Sequence, residues 1–309
     1  MGGPSQEYQV SLNTGRNVCV YLDTKNYLVS SLVIPQNGKW RLPRIKPDVA
    51  FIAMHGPYGE DGTIQKLLEK AKIPYTGSGV LASALGMDKP RSCAIFKEAG
   101  LNVPEFTVLT TPNSYNRNYR GPTSIVNWPK VVKPANYGSS VGVHIVKNDK
   151  ELRAGIRDAF RYSDRVIIQK FIKGREITCG VLEKDGKIFP LPPTEIISKK
   201  GTFYNYKSKY DEGGSEHIIP PSGFSRKMIK MVQGAACKSH NVLGCSGMSR
   251  SDFILGDNEK LYILEINTIP GMTSTSLLPE AAKSVGITFL KLLDILIVNA
   301  LRKKNRRTG

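Results

Sequence analysis

Histidine is scarce in this chain, with four in 309 residues, and tryptophan scarcer still, with two. So few imidazoles argue against a histidine-rich metal centre. Five cysteines (Cys19, Cys93, Cys179, Cys237 and Cys245) are odd in number, scattered, and include no C-x-x-C pair. That argues against a disulfide framework or a structural zinc and fits a reducing compartment. Acidic side chains are also in deficit, 26 against 44 basic ones, for a net charge of +18. Such a balance invites a nucleic-acid reading. The positive charge is spread along the chain, however, apart from a closing cluster at Arg302, Lys303, Lys304, Arg306 and Arg307. No zinc-finger spacing, basic zipper or aromatic RNA-binding motif accompanies it, and a phosphate-bearing small substrate accounts for it at least as well. No specific nucleic-acid partner is expected. The N-terminus has no basic-then-apolar signal pattern. The longest apolar region, Ile287 to Leu301, carries Lys291 and Asp294 inside it, so it reads as a buried amphipathic helix and not a membrane span. The expectation is a soluble, cytoplasmic protein.

What is present points to a globular chain, 40% hydrophobic and long enough for two or three domains. Short strand patterns alternate with helical ones, which indicates α/β or α+β architecture. Val29–Ile34 and Val49–Met54 read as strands, followed by H-G-P-Y-G-E-D-G and a helix with Ile64, Leu67, Leu68 and Ala71 on one face. Asp88 is placed to cap the next helix, with Pro90 in its first turn and Gly100 at its end. Further strands are expected at Val131–Pro134, Val143–Val146, Val166–Phe171 and Glu176–Leu182, with Asn148 and Glu151 as an N-cap pair between them. Ser198 to Pro220 is polar and aperiodic, a loop long enough to suggest function.

Three segments carry chemistry. Arg250 to Asn267 reads R-S-D-F-I-L-G-D-N-E-K-L-Y-I-L-E-I-N, two alternating runs around a Gly256-Asp257-Asn258-Glu259 turn. Strand alternation puts Glu265 and Asn267 on one face, and a hairpin symmetric about Asp257-Asn258 adds Arg250 and Asp252 to it. Two carboxylates and an amide oxygen make a hard-oxygen site suited to Mg²⁺ beside a nucleotide's phosphates. An ordinary solvated hairpin face is the competing reading. Asn136 to Gly142 is a glycine-serine turn between strands, not a P-loop, with Ser139, Ser140 and the upstream Lys133 available to a phosphate. Lys89 and Lys209 are lysines of the same kind, or else solvated surface.

Five separated motifs tie these segments together: G-G-P-S-Q-E-Y-Q-V-S-L at 2–12, H-G-P-Y-G-E-D-G-T-I-Q at 55–65, K-P-A-N-Y-G-S-S-V-G at 133–142, F-Y-N-Y-K-S-K-Y at 203–210, and R-S-D-F…L-E-I-N-T-I-P-G-M-T-S-T-S-L-L-P at 250–279. In this order, and across essentially the whole chain, they resemble the D-alanine–D-alanine ligases of the ATP-grasp superfamily. The resemblance implies an ATP-grasp fold preceded by a small N-terminal α/β domain with a mostly parallel sheet. Its divisions would be residues 1–80, a central subdomain at 81–170, and a C-terminal subdomain at 171–309 with a mobile lid near 198–220.

The resemblance also implies roles. Asp252, Glu265 and Asn267 would hold two Mg²⁺ ions, for which Mn²⁺ could substitute. Lys89, Lys133 and Lys209 would grip the phosphates of ATP, the co-substrate, with Glu176 at the ribose and Gln169, Lys170, Phe171 and Ile172 completing the nucleotide site. Glu7 and His55 would lie by the first D-alanine. Ser139 and Tyr210 would link that subsite to the lid, with Tyr210 favouring dipeptide over depsipeptide formation. Arg250 and the backbone N–H of Gly271 would stabilise an oxyanion, and Ser276 and Leu277 would hold the second substrate's carboxylate. The implied activity is ATP-dependent joining of two D-alanines through an acyl phosphate, for peptidoglycan precursors, by a homodimer. D-Lactate or D-serine as acceptor stays open, as does an impaired homologue that only binds nucleotide. Three departures accompany the resemblance. The family's first strand would precede Gly2, so either the natural start lies upstream of Met1 or the domain lacks that strand. Gln169 stands where a glutamate contacting the adenine amino group is common. Lys66 replaces a frequent glycine at the surface.

Overall fold

The computed structural model describes residues 1–22, 26–112, 127–198, 214–273 and 275–307. The N-terminal portion begins with helix α1 (Tyr8–Tyr21), whose buried face is half polar: Ser11, Leu12, Thr14, Gly15 and Val18. Neither Val29–Ile34 nor Val49–Met54 forms a continuous strand. Each contributes one isolated parallel bridge, Ile34 with Gly2 and Ala50 with Tyr75. The second ladder stops for a visible reason. Pro74 has no N–H to give, and the Ile52 N–H donates to the Thr76 hydroxyl at 3.1 Å instead of to a backbone carbonyl.

Helix α2 (Thr63–Lys70) buries Ile64 and Leu68 but leaves Leu67 38% exposed, so the expected apolar face is narrower than its sequence suggests. After α3 (Val80–Met87), Asp88 starts α4 (Lys89–Glu98) as anticipated. Its carboxylate accepts from the Arg91 N–H at 3.2 Å and from Arg165 at 2.9 Å, and Gly100 at φ +77° ends the helix. A side chain there would strain the left-handed backbone.

Two antiparallel sheets form the rest. The first contains β1 (Phe106–Leu109), β2 (Lys130–Pro134), β3 (His144–Val146) and β4 (Val166–Lys170) in the order β1-β4-β2-β3. Helix α5 (Asp149–Ala159) covers one face, packing Leu152, Ile156 and Ala159 against Val132, Val146, Val166 and Ile168. Its start is the expected cap pair: Asn148 Oδ1 accepts from the Glu151 N–H at 3.0 Å.

The second sheet comprises β5 (Gly174–Lys184), β6 (Lys187–Pro190), β7 (Thr194–Ser198), β8 (Ser215–Ile218), β9 (Met248–Gly256) and β10 (Leu261–Asn267). Its order is β10-β9-β5-β7-β8, with β6 paired to β5. The end of the expected Ser198–Pro220 loop is therefore a strand, β8, paired with β7; residues 199–213 lie outside the described residues. Helix α6 (Arg226–Val242) seals one core with Val232 and Ala236 against Ile177, Val181, Phe253 and Ile263. Helices α7 (Leu277–Ser284) and α8 (Phe289–Arg307) share another core with the N-terminal portion, where Val18, Ile52, Ile64 and Leu68 meet Leu278, Leu292 and Leu296. Each fully buried leucine of this kind contributes about 1.5–3 kcal/mol. Asp294, inside the apolar stretch of α8, accepts a hydrogen bond from the Tyr27 hydroxyl at 2.9 Å. Among the described residues no single helix is long and apolar enough to cross a membrane.

Candidate active site

The β9–β10 hairpin does not keep the symmetric register its turn suggests. Leu261 pairs with Leu255 and Ile263 with Phe253, after which a bulge at Leu264 shifts the pairing. Beyond it Glu265 faces Asp252 and Asn267 faces Arg250. Without the extra residue Glu265 would oppose Ser251, whose side chain is fully buried against α6, and would be carried to the core face. The bulge is what lets Ile263 and Ile266 both point inward while Glu265 and Asn267 point outward.

Around this face three cationic side chains meet two carboxylates. Arg250 forms a bidentate pair with Asp252 (Nε–Oδ1 2.9 Å, Nη2–Oδ2 2.8 Å), and Thr178, opposite Asp252 on β5, donates its hydroxyl to Oδ1 at 2.7 Å. Lys89, the first residue of α4, donates to the Tyr137 carbonyl at 2.6 Å and lies 3.4 Å from Glu265. Lys133 on β2 is buried; desolvation lowers its pKa, and the charge of Glu265 acts in the other direction. Asn267 Oδ1 accepts from the Ile269 N–H at 2.8 Å, which fixes its amide and leaves a second lone pair available. Among the described residues no three His, Cys, Asp or Glu side chains cluster as a self-sufficient metal cage. Two carboxylates and an amide oxygen, set on neighbouring strands, do fit Mg²⁺, which keeps water and phosphate oxygens among its ligands.

Two cavities meet here. One is polar, lined by Glu7, Thr14, His55, Glu60, Ser139, Asn267, Gly271 and Ser276 among others. Glu7 is the N-cap of α1, buried, and its Oε1 accepts from the Ser139 hydroxyl. Ser139 and Ser140 hold φ of +53° and +57°, a left-handed turn that is uncommon for serine and aims the loop at α1. His55 is locked on all sides: its N–H donates to Ser11 Oγ at 2.9 Å, its carbonyl accepts from Ser5 Oγ at 2.6 Å, and Nε2 pairs with Thr14 Oγ1 at 2.9 Å. Burial pulls the His55 pKa down, but Glu60, 3.5 Å from Nδ1, and the nearby charge of Glu7 outweigh it, and the net shift is upward. Gly271 is tight against Ser276, since a Cβ there would lie 2.8 Å from Ser276 Oγ. Ser276 itself accepts from the Thr273 N–H at 3.0 Å and stands at the N-terminus of α7, with Leu277 as the first helical residue. The second cavity is more apolar than the first and contains Val131, Lys133, Gln169, Lys170, Phe171, Ile172, Glu176, Asp252 and Leu264. Lys89, Arg250, Glu265 and Leu277 line both cavities, so a group transferred between their occupants would pass these four side chains.

Every site residue expected from the sequence lines one of the two cavities, except Lys209 and Tyr210, which lie outside the described residues. The sequence reading missed Thr14, Glu60 and Thr178. It also missed the tie between β8 and α7, where His217 Nδ1 pairs with Glu280 at 2.6 Å and Nε2 with Ser215 at 3.2 Å.

The chain's similarities to known proteins run the same way. A family model described as D-ala D-ala ligase C-terminus matches residues 95–298, and its N-terminal counterpart matches 43–78. A D-alanine–D-alanine ligase of Syntrophotalea carbinolica is 42% identical over 98% of this chain and 95% of its own length. The structure of the D-alanine–D-alanine ligase from Coxiella burnetii superposes with a TM-score of 0.87 at 28% identity, over 99% of this chain and 94% of that one. The Bacillus anthracis ligase, determined in complex with ATP, gives a TM-score of 0.80 at 32% identity over 99% and 97%.

Proposed function

This chain belongs to the D-alanine–D-alanine ligase family, and on that premise we propose that it joins two D-alanine molecules into D-alanyl-D-alanine with conversion of ATP to ADP and phosphate. The fold is that of the ATP-grasp ligases. The observation that carries the reading is the pair of cavities sharing Lys89, Arg250, Glu265 and Leu277. ATP occupies the apolar one and the amino acids the polar one.

A carboxylate is a poor electrophile. Transfer of the γ-phosphoryl group to the first D-alanine gives an acyl phosphate and ADP. The amine of the second D-alanine then attacks the acyl carbon, a tetrahedral intermediate forms, and phosphate leaves as the amine gives up a proton. None of these steps needs a protein nucleophile. Glu7, braced by Ser139, faces the first substrate's ammonium group from within the polar cavity, with His55 beside it. Lys89 and Lys133 offset phosphate charge where little water screens it. Arg250, released from Asp252, and the Gly271 N–H meet the oxyanion. The second substrate's carboxylate lies at the start of α7, where Ser276 and the open helix N–H groups favour an anion. Asp252, Glu265 and Asn267 would hold Mg²⁺, which when bound supplies neutralisation of the triphosphate. Glu176 takes the ribose, and Gln169 through Ile172 the base. Lys209 is assigned to the phosphates and Tyr210 to the subsite of Glu7 and Ser139; both lie outside the described residues.

The domain division proposed is 1–80, 81–170 and 171–309. A homodimer is proposed as well, supported by the large apolar side chains Val20, Tyr21, Leu28 and Ile45 exposed on the N-terminal portion. The cytoplasm, as the compartment that supplies ATP for cell-wall precursors, is the proposed location. The deciding experiment measures phosphate release with ATP, Mg²⁺ and D-alanine, with L-alanine as control and the product identified by mass. D-Serine and D-lactate are offered as acceptors in parallel. D-Alanine-dependent turnover with dipeptide formed is the expected result; ATP binding without turnover would refute it.

A further inference from the structure

Glu7, Ser11, Thr14 and Asn17 follow one another at intervals of four, three and three residues, so they form a single row along α1. The first three serve the subsite of the first D-alanine: Glu7 accepts from Ser139, and Ser11 and Thr14 hold His55. The fourth reaches elsewhere. Asn17 is half-buried, and its Nδ2 donates to the Met272 carbonyl at 2.6 Å, which joins α1 to the turn leading into α7. An amide oxygen in that place would face another oxygen, so the partner fixes which way the Asn17 amide points.

Met272 is 1% exposed and packs in the same core as Val18, the neighbour of Asn17. Apolar contact holds the turn against the helix, but it is non-directional and leaves the rotation of a peptide plane open. The hydrogen bond closes that freedom. The 272–273 peptide is trans and planar, with its C=O and N–H pointing opposite ways, so holding the Met272 oxygen aims the Thr273 N–H. That N–H donates to Ser276 Oγ at 3.0 Å, and Thr273 Oγ1 lies 2.8 Å from the same oxygen. The Ser276 N–H returns to the Thr273 carbonyl at 3.2 Å and completes the turn. A serine hydroxyl has two acceptor positions and one proton. With the Thr273 N–H on one and the Thr273 hydroxyl on the other, Ser276 keeps its own proton to give, and it lines the polar cavity. Hydrogen bonds in series of this kind strengthen one another.

We propose that Asn17 is a positioning residue for the second amino acid: through the 272–273 peptide it makes Ser276 a hydroxyl donor aimed at that substrate's carboxylate. The inference rests on the ligase reading above and adds to it a residue that touches neither substrate. Because Asn17 shares a helix with Glu7, Ser11 and Thr14, α1 also sets the two amino-acid subsites relative to each other.

The test is a double-mutant cycle on the full chain: the natural sequence, Asn17→Ala, Ser276→Ala and the two substitutions together. For each protein kcat and the KM values for ATP, the first D-alanine and the second D-alanine are measured, beside a melting curve. Expected for Asn17→Ala is a KM for the second D-alanine raised by about fivefold to tenfold, the effect of one lost hydrogen bond. KM for ATP and for the first D-alanine should stay within about twofold of normal. With Ser276→Ala already present, the Asn17 substitution should change the second KM by no more than about twofold, since the hydroxyl it orients is gone. Asn17→Asp, of the same size and with no N–H to give, takes the place of the alanine variant if that one does not fold. A KM that rises equally for both D-alanines would make Asn17 a brace for α1 as a whole and overturn the inference. So would losses that multiply in the double variant, or normal kinetics in both Asn17 variants. Without D-alanine-dependent turnover in the natural sequence the ligase reading falls and takes this inference with it, whereas turnover with multiplying losses overturns the inference alone.

Discussion

Replacing Asp252 with Asn keeps the size of the side chain and removes its charge, and the hydrogen bonds around the carboxylate set the cost. It receives them from Arg250 Nε at 2.9 Å, Arg250 Nη2 at 2.8 Å and Thr178 Oγ1 at 2.7 Å. An asparagine oxygen can still take the Thr178 and Nε bonds, but its NH₂ then turns toward the Nη2 donor. One charge-assisted bond is lost outright, worth about 1.5–3 kcal/mol. The side chains of Arg250 and Asp252 are only 13% and 20% exposed, so solvent replaces little of it. For a chain of this size the expected fall in Tm is roughly 2–5 °C. Turnover suffers more, because the same change weakens the anchor for the cation and frees Arg250 from its fixed position. Loss of one preorganised charge contact typically costs about 10²–10³ in kcat, and with both affected kcat falls by at least about 10³. Steady-state phosphate release with D-alanine, beside a melting curve for each protein, measures both effects. An Asp252→Asn protein that melts several degrees lower yet keeps kcat within about tenfold of normal would reduce the Arg250–Asp252 pair to a structural ion pair and sink the metal assignment.

Ser139→Ala removes the hydroxyl donated to buried Glu7. KM for the first D-alanine should rise by about tenfold or more with KM for ATP nearly unchanged, and an unaltered D-alanine KM would deny Glu7 and Ser139 their joint role. Gly271→Ala sets a methyl group 2.8 Å from Ser276 Oγ. Overpacking of about 1–3 kcal/mol should lower kcat/KM for the second D-alanine by roughly tenfold or more, whereas normal kinetics would show that the 271–276 turn adapts freely. His55, whose pKa is raised above its ordinary 6.5, stabilises the fold fully below that value, and the contribution is lost as pH climbs through the raised one. Melting temperature should therefore decline with pH above 6.5 by more than in His55→Gln, and parallel curves for the two proteins would contradict the charged His55–Glu60 pair.

The parts of the chain that obey local rules were open to reading from sequence, and the parts that break them are where the site lies. The Asp88 and Asn148 caps, the Gly100 stop and the strands β2, β4 and β5 follow from alternation and capping chemistry that depends on a few neighbours. The hairpin face was also visible, but its register was not: an apolar pair, Ile263-Leu264, interrupts the alternation, and only the bulge explains why Glu265 then meets Asp252. Helix α1 escaped because Ser11 and Thr14 occupy its buried face, which fails the apolar-stripe test while building the wall around His55. Thr178 looks like an ordinary strand former until its hydroxyl is seen on Asp252. Two serines in left-handed turns, two lysines buried beside a glutamate, and a bulge in the strand bearing the metal ligands each run against folding economy. Such costs persist where surrounding structure supports them and a ligand later relieves them. Their concentration along the walls of two touching cavities is the physical argument that those cavities act together.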